Sequence, residues 1–399
     1  MAIAAGVRKH MEDSSWIRRM FELGITLKRE RGEENVFDLS LGNPVVEPPA
    51  EFFSELRKLV DAPLTGSHRY MPNAGYAETR EAVAQTLNGE TGLGYGPQHV
   101  LMCSGAGGGI NVVVHSLCDP GDEVIIFAPF FAEYLFYASN HGAVPVTVGC
   151  DVEFTPDLDE LATKITARTK VVLLNSPNNP SGAVYSADFV RALAGVLKER
   201  SGALGTEIFL LSDEPYRKII FDGASYPFPQ LAYDRTITVT SHSKDLALPG
   251  ERIGYVAVHP AYVGGAELMD AFIFCNRVLG FVNAPAMMQH VVRNLQHVTV
   301  DVGDYQAKRD YLYGVLTEAG YDVVKPKGAF YMFPTSPVPD ELKLVETLQK
   351  HGVLVVPGRG FGLPGYFRIS FCVEQAVLEG AAPGFRAAAK ELGATLASE

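Results

Sequence analysis

HVLMCSGAGGGINVVVHSLCDPGDEVIIFAP, residues 99–129, sets the pattern from which the fold is read. A short apolar run passes through glycines into an amphipathic run, INVVVHSLC, and a polar turn leads to a second apolar run. The theme continues to His259. AVPVTVG (143–149), KVVLLN (170–175), IFLLSDE (208–214), TITVTS (236–241) and GYVAVH (254–259) read as further strands rich in Val and Ile. AEYLFYASN and DLDELATKI lie between the earlier ones as helices. Near-continuous apolar strands separated by helices indicate a parallel sheet covered on both faces. The last three strands follow with little helix between them, so part of the sheet is expected to be antiparallel. Ligands of such sheets bind at the carboxyl ends of the strands.

Outside this block the texture changes. SLGNPVVEPP (40–49) reads as extended loop, and after Pro285 come long charged helices followed by short strands around GAFYMF and FRISF. The expected architecture is α/β: a mixed, mostly parallel sheet in a large domain, residues 46–290, with a smaller α/β domain from residues 1–45 and 291–399. A chain of 399 residues accommodates two or three domains at about 150 residues each.

Composition narrows the function. With 47% apolar and 20% charged residues the chain can bury a large core, which rules out intrinsic disorder. Acidic residues outnumber basic ones, 46 to 34, for a formal net charge of −12, which argues against a nucleic-acid partner. The five cysteines (Cys103, Cys118, Cys150, Cys275, Cys372) are widely spaced and form no Cys-x-x-Cys pair. They read as reduced thiols of a cytoplasmic protein. No apolar stretch suits a signal peptide or a membrane span, so no membrane partner is expected.

Four motifs fall at strand ends. SGAGGGI (104–110) offers glycines and a helix N-terminus, a site for phosphate as readily as an unliganded tight turn. A dinucleotide fingerprint would need glycine where Ile110 stands, so a NAD enzyme is disfavoured. NSPNNPSG (175–182), taken alone, is turn chemistry. SDEPY carries Asp213 at a strand end with Tyr216 three residues on, and SHSKDLALPGERIG (241–254) carries Lys244 and Arg252. Each motif singly has a bland reading as turn, cap or surface charge. Together they supply different parts of one site.

On these motifs the chain resembles the class I aminotransferases, pyridoxal-phosphate enzymes of fold type I, and is similar to aspartate aminotransferases. The resemblance runs from about Gly42 to Arg368. It implies that Lys244 forms a Schiff base with the cofactor and then carries the proton at the substrate's Cα. Asp213 would pair with the pyridine nitrogen, Tyr216 and Asn179 with the phenolic oxygen, and Phe131 would stack on the ring. The phosphate would be held by the Ala106 and Gly107 amides, Ser241, Ser243 and Arg252. Arg368 would clamp the substrate's α-carboxylate, with Gly42 and Asn179 at the same end. Tyr70, in YMPNAG, would reach the phosphate of a neighbouring subunit, making the protein a homodimer with shared sites.

The implied reaction moves an amino group from an L-amino acid, aspartate or alanine first, to a 2-oxo acid such as 2-oxoglutarate. A C–S lyase or decarboxylase of the same fold is the alternative. A transcription regulator with this domain is rejected, because only 41 residues precede Gly42 and the chain is acidic. No match to an arginine for a distal carboxylate is evident, although Arg277 and Asn283 fall in the right region. His290 and His297 read as ordinary helix residues, the aromatic cluster at 127–137 as mostly core, and Arg359 in VPGRGFG as surface charge beside a substrate loop.

Overall fold

The computed structural model describes residues 2–12 and 16–393. Its centre is a seven-stranded sheet: β1 (Val100–Cys103), β2 (Glu123–Phe127), β3 (Val144–Val148), β4 (Thr169–Asn175), β5 (Phe209–Asp213), β6 (Thr236–Ser241) and β7 (Gly254–Val258). The order is β1-β7-β6-β5-β4-β2-β3. All seven apolar runs read from sequence are strands of this sheet. Only β7 runs against its neighbours, pairing antiparallel with both β1 and β6.

Strand residues alternate between two packed faces, as a period of two requires. Leu101, Ile126, Leu173, Leu211, Val239 and Val256 point into one apolar cluster. There they meet α1 (Gly105–Leu117) and α2 (Gly265–Val278). Ile125, Val172, Leu174 and Leu210 point the other way, packing with Leu193 and Leu197. Burial on both faces explains why the strands read as continuous rather than alternating apolar runs.

A separate core gathers Met20 and Leu39 with apolar residues from Val300 to Ala389. Tyr331–Met332, Phe367–Ser370 and Val356–Pro357 form a small antiparallel sheet there, packed with α3 (Val302–Glu318) and α4 (Gln375–Glu391). The N-terminal strip threads into this layer. Phe37–Asp38 pairs parallel with Val353–Leu354, and the Ser370 amide donates to the Leu39 carbonyl at 2.8 Å. That tether brings Ser40, Leu41 and Gly42 to the edge of the large sheet. After Pro285 the chain is less helical than its sequence suggests. A helix of seven residues ends at Val292, and the next begins only where Asp301 caps the Gly303 and Asp304 amides.

Among the described residues no helix is long and apolar enough to cross a membrane. No group of three or more potential metal ligands occurs among them either. His290 instead stacks on Tyr76, with ring centroids 4.3 Å apart.

Candidate functional site

The antiparallel strand assembles one end of the site. Gly254, the first residue of β7, lies opposite both Cys103 and Ser241, the last residues of β1 and β6. The chain entering β7 therefore carries Arg252 between the start of α1 and the Ser241–Ser243 segment. Arg252 adopts φ +52°, a left-handed conformation unusual for a side chain with Cβ, and its Nη1 donates to the Pro249 carbonyl at 3.0 Å. Gly105, at φ +67°, opens α1; a Cβ there would stand 2.8 Å from Arg252 Nη2. The glycines expected to form a turn thus lie within the first turns of α1. At Gly109 a Cβ would crowd Val239 at 2.9 Å, so the helix start lies directly on the sheet.

The neighbouring strand ends supply the rest. Asn175 and Asp213 are paired at the ends of β4 and β5. The Asn175 Nδ2 donates to the Asp213 carbonyl at 3.0 Å, while its Oδ1 accepts the Asn179 amide at 2.8 Å. NSPNNPSG is thereby pinned beside Asp213. Lys244 follows β6 on a short helical turn, and its Nζ donates to the Gly42 carbonyl at 2.7 Å.

These segments enclose a cavity of about 300 Å³. Twelve of the thirteen site residues expected from sequence line it: Gly42, Ala106, Gly107, Phe131, Asn179, Asp213, Tyr216, Ser241, Ser243, Lys244, Arg252 and Arg368. Tyr70 stands apart, 89% exposed and off the cavity wall of its own chain.

The electrostatics follow from burial. Asp213 is 5% exposed; its Oδ2 accepts from the Tyr134 hydroxyl, and among the described residues its Oδ1 has no partner. Burial drives its carboxyl up to about 7, with the Tyr134 bond opposing and Glu214 adding to the rise. Burial lowers the Lys244 ammonium to about 8; Cys372 opposes this while Arg368 and Arg252 reinforce it. Burial thus shifts the lysine towards the neutral amine that a nucleophile or base requires.

Arg368 is 2% exposed, with its Cζ 4.8 Å from the Tyr331 ring and 4.7 Å from the Phe361 ring. Its Nη1 donates to Asn179 Oδ1 at 3.0 Å and its Nη2 to the Ser40 carbonyl at 2.5 Å, while Nε has no partner among the described residues. Desolvation lowers its pKa, yet it remains a buried cation with a free donor.

Several wall residues were not anticipated. Tyr331 hydrogen-bonds Tyr216, hydroxyl to hydroxyl, at 3.0 Å. A Cβ at Gly42 would overlap its phenol, which is why glycine stands there. Glu133, Tyr134 and Tyr137 also line the cavity, so the aromatic cluster at 127–137 is wall as well as core. Phe131, Tyr134 and Tyr137 recur every three residues, but the helix Glu133–Ser139 is too short for that spacing to mark its cavity side. Arg277 is exposed, and Asn283 donates to the Pro72 carbonyl at 3.1 Å. Neither lines this cavity. Arg359 pairs with Glu341 at 2.8 Å and Asp340 at 2.9 Å.

Comparison with known proteins agrees with this geometry. The family model of class I and II aminotransferases matches residues 34–384. A probable aspartate/prephenate aminotransferase of Thermus aquaticus is 32% identical over 364 residues, covering 90% of this chain and 93% of the relative. The crystal structure of an aminotransferase from Eubacterium rectale, 38% identical, superposes with a TM-score of 0.94 over 98% of this chain and 99% of that one. Aspartate aminotransferase of Thermus thermophilus with maleate gives 0.84 at 28% identity, covering 94% and 97%. The chain belongs to the class I and II aminotransferases, a family of pyridoxal-phosphate-dependent enzymes.

Proposed function

We propose that the cavity binds pyridoxal phosphate and passes the amino group of an L-amino acid, aspartate or alanine, to a 2-oxo acid such as 2-oxoglutarate. One observation carries this reading: an amine of lowered pKa, a buried carboxyl with a free oxygen and a buried arginine with a free donor converge on one cavity. The wall residues fit the cofactor. The orphaned Asp213 Oδ1 suits a protonated ring nitrogen, Phe131 suits a ring face, and the start of α1 with Ser241, Ser243 and Arg252 suits a phosphate. When bound, pyridoxal phosphate supplies an electron sink for the pair left at the substrate's Cα.

The chain's own residues do the rest. Arg368 holds the substrate carboxylate, backed by Asn179, and so fixes Cα near Lys244. Neutral Lys244 Nζ would take the Cα proton and later return one at C4′, the cofactor carbon bonded to the substrate nitrogen, acting as base and then acid. Asp213 would keep a proton on the ring nitrogen, and Tyr216 and Asn179 would donate to the phenolic oxygen. Tyr331, linked to Tyr216, and Phe361 keep water from the arginine.

Arg368→Lys tests this arrangement. Replacing a planar fork by a point charge should raise KM for amino acid and oxo acid alike, by about tenfold or more for each. Equal turnover by the wild type of amines that lack a carboxylate would show the clamp to be elsewhere.

Tyr70 and assembly form the second part of the proposal. An exposed tyrosine outside its own cavity suits a hydroxyl that serves the phosphate site of a partner in a homodimer. The check is a mixed dimer of Tyr70→Phe and Lys244→Ala chains. The site that keeps Lys244 receives an intact Tyr70 only from its partner, so wild-type cofactor affinity is expected there. Affinity as weak as in the Tyr70→Phe homodimer would assign the tyrosine to its own chain.

A further inference from the structure

One cavity residue has no part in the chemistry above. Glu133 opens the helix Glu133–Ser139 and lines the cavity beside Phe131, Tyr134 and Tyr137. Its Oε2 is buried and has no hydrogen-bond partner, and no ion pair holds it among the described residues. Burial raises its carboxyl, with its own amide and the more distant Arg368 charge opposing the rise. The cavity's cations among the described residues are Lys244, Arg252 and Arg368, each with a partner or task already.

An acceptor oxygen in a cavity of low dielectric is satisfied by an N–H or O–H, and a second carboxylate beside it is repelled more strongly than in water. We propose that Glu133 is a specificity residue of this site: its free oxygen accepts a hydrogen bond from the substrate's side chain and turns away a second carboxylate. The substrate class is then amino acids with neutral or hydrogen-bond-donating side chains, and aspartate is a poorer donor than alanine. In a two-stage reaction the same cavity receives the oxo acid, so pyruvate outranks both oxaloacetate and 2-oxoglutarate, a narrower acceptor class than the one proposed above. This inference rests on the aminotransferase reading.

Aspartate and asparagine provide the test, because they share a shape and differ in whether the side chain donates. Holoenzyme and its Glu133→Gln variant are each given alanine, asparagine or aspartate alone, and kcat/KM of each half-reaction is measured. In the wild type, asparagine and alanine should exceed aspartate by about tenfold or more. In Glu133→Gln, whose amide can donate to a carboxylate, aspartate should gain about tenfold while alanine moves less than about threefold. The alanine reaction also reports that the variant is folded and loaded. A wild type that prefers aspartate, or an aspartate-to-alanine ratio that moves less than about threefold, overturns the role of Glu133. If the wild type takes the amino group of no amino acid at all, the aminotransferase reading falls first, and the role of Glu133 with it.

Discussion

Lys244→Ala is expected to lower kcat by at least about 10⁴-fold, because in the proposed reaction one substitution removes both the cofactor's attachment and the group that moves the Cα proton. The fold should survive. Among the described residues the lysine makes one hydrogen bond, to the Gly42 carbonyl, and its charged form is disfavoured by burial. Truncation therefore leaves no buried charge unpaired. Borohydride treatment followed by mass spectrometry should find the cofactor fixed to the wild type at Lys244 and to no residue of the variant. A reducible adduct retained in Lys244→Ala would place the attachment on another lysine.

The second large effect belongs to Asp213. Asp213→Ala should bind the cofactor more weakly and lose about 10³-fold or more in kcat, since the ring nitrogen then loses its proton and the electron sink weakens. Stability of the apoprotein should move the opposite way. An acid whose folded pKa is raised to about 7 destabilises the fold progressively as pH climbs from its unfolded value near 4 to about 7, after which the cost is constant. Apo Asp213→Ala should accordingly gain thermal stability over the wild type at pH 8, and gain less at pH 5. Near-normal turnover with full cofactor occupancy in the variant would remove Asp213 from the mechanism.

The sheet was legible because its strands are buried on both faces and so spell unbroken Val- and Ile-rich runs. The single reversed strand was legible only as a shortage of helix before Gly254. Two-residue strands such as Phe37–Asp38 and Val353–Leu354 carry no local pattern, because their pairing is set by segments far away in the chain. The same division holds in the cavity. Lys244, Asp213, Asn179 and Arg252 stand in motifs whose spacing is short and rigid, and the sheet brings these motifs to one edge. Tyr331 reaches the site only because Gly42 leaves room for its phenol, a fit that neither segment reveals by itself. Glu133 and Tyr134 sit on a helix of seven residues, too short for periodicity to separate its cavity face from its core face.

A half-reaction on the holoenzyme separates transamination from elimination and decarboxylation. A single amino acid, alanine first, is added with no oxo acid present, and its oxo acid product is counted while the visible absorbance of the cofactor is followed. An aminotransferase should bleach the band, release one oxo acid per active site and then stop, recovering the band when a 2-oxo acid is added. Continued release of ammonia, sulfide or carbon dioxide without an acceptor would identify a lyase or decarboxylase and contradict the account.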